Sequence, residues 1–138
     1  MTCPTHFSRL ITIFIFLFLG TMGLAQPLDL VREHDYSDYI QSLIGGEREV
    51  SIDGGRIDLL TDEYAIEIKR APKWKEAIGQ SLWYALNTNK KPAIILILED
   101  QYQYKYFVQL NSALSYANLD QTIHVMLFPH DFEDLIKE

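Results

Sequence analysis

From Tyr36 to Ile44 the apolar residues Tyr36, Tyr39, Ile40, Leu43 and Ile44 recur at spacings of three and four. That is the stripe of an amphipathic helix. Gly45-Gly46 stops it, and a start as early as Leu28 would bring Glu33 onto it. The period then changes to two. Glu49–Ile52 alternates polar and apolar residues, Asp53-Gly54-Gly55 supplies turn chemistry, and Arg56–Leu60 reads as a second strand. Thr61-Asp62-Glu63 turns the chain into a third strand, Tyr64–Lys69. Pro72 is placed to open a helix that carries Trp74, Ala77, Ile78, Leu82 and Ala85 at helical spacing. Pro92–Leu98 is a nearly unbroken β-rich apolar run, the mark of a strand buried on both faces. A helix over Tyr104–Tyr116, a strand over Thr122–Phe128 and a short helix over Asp131–Glu138 complete the order. The fold class this order predicts is α/β. An antiparallel meander is joined through helical crossovers to parallel partners, giving a mixed β-sheet flanked by helices.

The first 25 residues change the picture. They hold one positive side chain, Arg9, then an apolar run from Leu10 to Leu19, then the small or flexible Gly20, Thr21, Gly23 and Ala25. This is the layout of a secretory signal peptide, with cleavage before Gln26 and an uncleaved signal anchor as the alternative. The run falls short of the roughly 20 apolar residues that span a bilayer. The expected organisation is a signal peptide over residues 1–25 and a single domain over 26–138, exported to the periplasm or the medium. No stable membrane association is expected after cleavage. The one cysteine, Cys3, lies in the signal segment, so the mature domain has no disulfide, thiolate metal site or cysteine nucleophile.

The net charge is −7, and loss of Arg9 with a segment that holds no acid makes the remainder more acidic. Such a balance excludes a sequence-independent DNA coat protein, which needs many phosphate contacts. Positive charge is local: Arg48 and Arg56, then Lys69, Arg70, Lys73 and Lys75, then Lys90-Lys91. A catalyst that grips a nucleic acid briefly through a metal tolerates this.

The candidate chemistry comes from register. A turn centred between Asp62 and Glu63 sets Asp58 opposite Glu67 on neighbouring strands, and Lys69 shares the sheet face of Glu67. Two acids facing one another among Ile57, Leu59, Ile66 and Ile68 repel and resist burial. A divalent cation removes both penalties, and an all-oxygen site suits Mg2+ or Mn2+. The alternative is a salt-bridged, solvent-exposed strand face. His34, His124 and His130 have no paired ligand spacing, which excludes a zinc centre of the usual kind. Tyr102, Tyr104, Tyr106, Phe107 and Tyr116 are expected to pack a helix on the sheet, with base stacking as the alternative.

Helix, three-strand meander, helix and strand, with Asp58 in Gly55-Arg56-Ile57-Asp58-Leu59 and Glu-x-Lys in Ala65-Ile66-Glu67-Ile68-Lys69, resemble the PD-(D/E)XK nuclease superfamily. The resemblance covers about Glu33 to Leu98. It implies an αβββαβ core of restriction-endonuclease-like type with an additional helix and strand. It also implies a metal held by Asp58, Glu67 and the Ile68 backbone carbonyl, with Lys69 orienting the attacking water. Relatives carry a Gln on the following helix, which Gln80 in Gly79-Gln80-Ser81 matches. They often add an acid on the first helix, for which Glu33 is the candidate and Glu47 the reserve. The implied activity is metal-dependent phosphodiester hydrolysis in nucleic acid, taken to be DNA, with a homodimer as a way to grip a duplex. The rival is a non-catalytic binding or assembly module that keeps the fold.

Export gives the first test. Mass spectrometry of the protein from its host should find an amino terminus at or near Gln26. Intact protein beginning at Met1 would contradict the signal-peptide reading.

Overall fold

The computed structural model describes residues 30–137. The expected signal segment and its cleavage point at Gln26 lie outside the described residues. No helix among the described residues is long and apolar enough to cross a membrane.

The elements run α1 (Glu33–Ile44), β1 (Glu47–Ile52), β2 (Gly55–Leu60), β3 (Tyr64–Arg70), α2 (Trp74–Thr88), β4 (Lys91–Ile97), α3 (Tyr104–Tyr116), β5 (His124–Phe128) and α4 (Glu133–Ile136). One five-stranded sheet has the order β1-β2-β3-β4-β5. β1, β2 and β3 are antiparallel, and β4 and β5 join in parallel. This is the mixed α/β sheet that the periodicity predicts.

Boundaries moved where local chemistry outweighs periodicity. Pro72 lies in a 3-10 turn, Ala71–Lys73, rather than in α2 itself, because a residue without an N–H suits the first turn. Asp100 accepts from the N–H groups of Tyr102 and Gln103 and starts the turn that leads into α3. β1 begins two residues earlier than its alternation indicated, while β5 is two residues shorter. The terminal helix shrinks to four residues behind a 3-10 turn over His130–Phe132.

The sheet is covered on both faces. α1 packs Ile40, with Tyr36, Tyr39 and Leu43, onto Leu59, Ile66, Ile68, Ile95 and Phe128. On the other face α2 and α3 bring Ala77, Leu110 and Leu114 against Ile94, Leu96 and Leu127. Every residue of β4 from Pro92 to Ile97 is buried, as its apolar run requires. The buried face of α2 is Ala77, Ser81, Tyr84 and Ala85, whereas Trp74, Ile78 and Leu82 are its half-buried shoulder. The packing role expected of the aromatic set holds only for Tyr106 and Phe107. Tyr102, Tyr104 and Tyr116 are exposed, because α3 turns only one face to the sheet.

Candidate active site

β2 and β3 pair Leu59 with Ile66 and Leu60 with Ala65. One more step along this register sets Asp58 opposite Glu67. The backbone ladder, however, gives way there. The Ile68 N–H donates to Asp58 Oδ2 at 2.8 Å, so a carboxylate takes the place of a strand carbonyl and the two strands splay. A strand residue's N–H and C=O lie on the same edge, so the Ile68 carbonyl faces the same opening.

The other edge of β2 is irregular at the same level. Glu49 has φ 60 and stands between the paired positions Arg48–Leu59 and Val50–Ile57. The alternation of β2 breaks with it: Leu59 packs under α1, while Ile57 joins Ala65 and Tyr84 in a separate cluster. Arg48 fastens this kink. Its Nε donates to the Asp58 carbonyl at 2.8 Å, and its guanidinium also pairs with Asp38 of α1 and with Glu49.

Glu67 is the centre of the site. It is 1% exposed, and among the described residues no backbone N–H or hydroxyl donates to either carboxylate oxygen. Lys69 Nζ lies 2.8 Å from Oε1 as its ion-pair partner. Burial first, and the Asp58 charge second, push the Glu67 carboxyl up to about 8. Burial also raises Asp58, against the pull of the Ile68 N–H and Lys69. Burial opposes the Lys69 ammonium, yet Glu67, Asp58 and Glu33 outweigh it and hold its pKa above the ordinary lysine range.

The sequence-derived residues gather here with one exception. Glu33, the first residue of α1, puts Oε1 3.6 Å from Lys69 Nζ and accepts the Arg70 N–H at 3.2 Å on Oε2. Both of its oxygens are therefore occupied by β3, which makes it a neighbour of the carboxylate pair. Gln80 donates to the Tyr84 hydroxyl at 3.2 Å and lines a cleft with Asp58 and Lys69. Glu47, the reserve acid, is not at the site. It pairs with Leu60 and borders a depression with Thr61 and Lys90 at the opposite end of the sheet, because β1 begins there and reaches the level of Asp58 only at Glu49.

Two clefts of about 550 and 480 Å3 meet over Asp58, Lys69 and Arg56, one against α1 and one against α2. Arg48 and Tyr84 are the participants that sequence reasoning missed. Tyr84 follows Gln80 by four residues, a spacing that puts both on one helix face; nothing in the strand pattern marks Arg48.

The donor set fits magnesium. That ion is bound through one or two carboxylates and keeps several waters, and Asp58, Glu67 and the Ile68 carbonyl are the groups that would supply this kind of partial shell. Among the described residues no group of three or more His, Cys, Asp or Glu side chains converges as a metal cage. A cation here would give Glu67 a second partner beside Lys69.

The chain is similar to parts of three proteins of Acanthamoeba polyphaga mimivirus that carry the name KilA-N domain-containing protein. With L33 it shares 46% identity over 55 residues, 40% of this chain and 22% of that protein. With R878 it shares 34% over 79 residues, 54% of this chain and 21% of that protein. With L32 it shares 45% over 58 residues, 41% of this chain and 16% of that protein. The chain thus spans about a fifth of the length of these relatives. No family model and no solved structure matches it.

The charge arrangement sets a pH dependence for the metal-free protein. The groups facing Glu67 are Asp58 on β2, Lys69 on β3, and Tyr84 on α2, with Glu33 of α1 acting through Lys69. The folded Glu67 carboxyl keeps its proton up to about 8, against an ordinary value of 4.5. The associated stability is complete below 4.5 and is lost as pH rises through 8. Lys69 stays charged throughout that window and adds no slope. In chelator, the melting temperature should therefore fall between pH 5 and pH 8, and Glu67→Gln should remove most of that fall. An equal slope in both proteins would contradict the assignment.

Proposed function

We propose that the chain is a metal-dependent nuclease that hydrolyses phosphodiester bonds in nucleic acid, DNA in the first instance, and that it acts after export. The observation that carries this reading is Glu67, a carboxyl group buried inside the sheet, opposite Asp58, with one ammonium as its ion-pair partner. A fold gains no stability from such a group, since two buried carboxylates repel and each loses its water. Retention of the pair is accounted for by a ligand that needs it.

In this reading Asp58, Glu67 and the Ile68 carbonyl hold Mg2+ or Mn2+. The bound ion supplies Lewis-acid polarisation of the phosphodiester. Lys69, anchored on Glu67 and 14% exposed, aims its ammonium at the attacking water and at the charge that grows on the phosphate. Arg48 fixes the Asp58 backbone from behind, so the Asp58 carboxylate is set before substrate arrives. Gln80 holds the α2 wall of the cleft through Tyr84.

The second reading, a binding or assembly module, is favoured by the net charge of −7, which is unusual for a protein that works on polyanions. The α2-side cleft nevertheless has Arg56 and Lys69 beside Asp58 in its lining, so positive side chains stand at the site despite the overall charge.

Cleavage of plasmid, linear duplex and single strands in magnesium separates the two readings. Lys69→Met keeps the aliphatic stem and removes the ammonium, so folding should survive. Cleavage should fall about a hundredfold or more, the scale for losing one positioned charge or proton-transfer group. A parent protein that cuts nothing in magnesium or manganese contradicts the nuclease reading. Equal cutting by parent and Lys69→Met removes Lys69 from it.

A further inference from the structure

The cleft between the β1–β2 hairpin and α2 contains a glycine that the fold does not require. Gly79 lies mid-helix in α2 and is exposed. A Cβ built on it would meet no atom within 4 Å, and its φ is not positive. Glycine is among the poorest residues for a helix interior, so neither conformation nor packing accounts for it. The other two glycines of this cleft do have such reasons. Gly54 has φ 71, and a Cβ on Gly55 would come within 3.0 Å of the Tyr84 ring.

The surroundings match a nucleotide. The cleft holds about 480 Å3, inside the range of about 300–1,000 Å3 typical of small-ligand pockets. On one side stands Trp83, whose indole N–H donates to the Asp53 carbonyl at 2.9 Å and so fixes the ring beside Gly54. The residue remains 42% exposed. Across from it Arg56 has one described ion pair, from Nε to Glu49, which leaves the terminal nitrogens of its fork for an anion. Asp58 and Lys69 belong to the same lining.

Resting on the nuclease reading, we propose that this cleft is a nucleotide subsite of the strand that is cut. The sugar–phosphate lies against the bare turn of α2 at Gly79, Arg56 takes a phosphate, and an unstacked base rests on Trp83. Arginine forks match phosphate geometry, and base–aromatic stacking tolerates any base. A base can reach Trp83 only when it has left a duplex, so the subsite selects single strands and frayed ends over intact duplex. A methyl group at Gly79 would stand where the strand must approach.

Gly79→Ala separates this from a structural role, because the two predict opposite signs. Binding is read by anisotropy of a labelled single-stranded phosphorothioate oligonucleotide in magnesium, and stability by melting temperature. Gly79→Ala should raise the melting temperature by several degrees and weaken binding at least tenfold. Trp83→Leu should weaken binding by about the same factor, and Trp83→Phe should restore most of it. Parent-like binding by Gly79→Ala overturns the subsite, as does a parent that does not bind the strand or that prefers blunt duplex. If the parent binds, Gly79→Ala does not, and neither cuts, the subsite stands and the nuclease reading falls. If both cut with equal affinity, the nuclease reading stands and the subsite falls.

Discussion

Inside the sheet the Glu67 carboxyl is buried with a second carboxyl group, Asp58, opposite it and one ammonium, Lys69, beside it. Glu67 is flanked by Ile66 and Ile68, which face α1, while its own side chain points to the α2 face with Asp58 across the splay. Ionising both carboxyls beside one lysine would leave a surplus of negative charge that burial magnifies, and Glu67 therefore keeps its proton up to about 8. The local structure reads as a response to that constraint. β2 and β3 part, the Ile68 N–H turns to Asp58, and Lys69 folds back onto Glu67. Arg48 crosses from the kinked β1 to hold the Asp58 carbonyl and tie it to Asp38 of α1.

The splay also sets where a ligand could enter. Parted strands open the sheet toward both helices, and the two clefts meet on Asp58 and Lys69. The rest of the fold insulates this opening. β4 is buried along six successive residues, α1 seals one face with Ile40, Tyr36 and Tyr39, and α2 seals the other through Ala77, Tyr84 and Ala85. The carboxylates are therefore carried inside strands rather than on loops, which favours a fixed geometry for them.

Much of this was legible in the sequence, for reasons that can be named. The Asp58–Glu67 register follows from a short turn, and a slip of one residue would have turned Glu67 into the apolar face that packs on α1. β4 announced itself by composition, and α3 by spacing, with both ends where the pattern put them. The parts that stayed hidden depend on contacts between distant residues. Arg48 reaches across ten residues to Asp58, and no local pattern encodes such a reach. The positive φ of Glu49 falls on a residue type that gives no hint of it. Glu47 stood in reserve to Glu33 as a spare acid, but it opens β1 opposite Leu60, at the far end of the sheet from Asp58 and Lys69. Tyr84 was readable only as an aromatic on a helix until Gln80 and Gly55 were seen around it.

The central claim is that the Asp58–Glu67 pair exists to hold a divalent cation. The direct measurement is the melting temperature of chelator-stripped protein against added Mg2+ or Mn2+, compared with the double variant Asp58→Asn, Glu67→Gln. A ligand that binds only the folded state stabilises it in proportion to the logarithm of its excess over Kd. The account predicts that metal raises the melting temperature of the parent and leaves that of the double variant unchanged. Above pH 8, where Glu67 has lost its proton, the metal-free double variant should melt higher than the metal-free parent, because the carboxylate repulsion is gone. An equal metal response in the two proteins, or none in the parent, would contradict it.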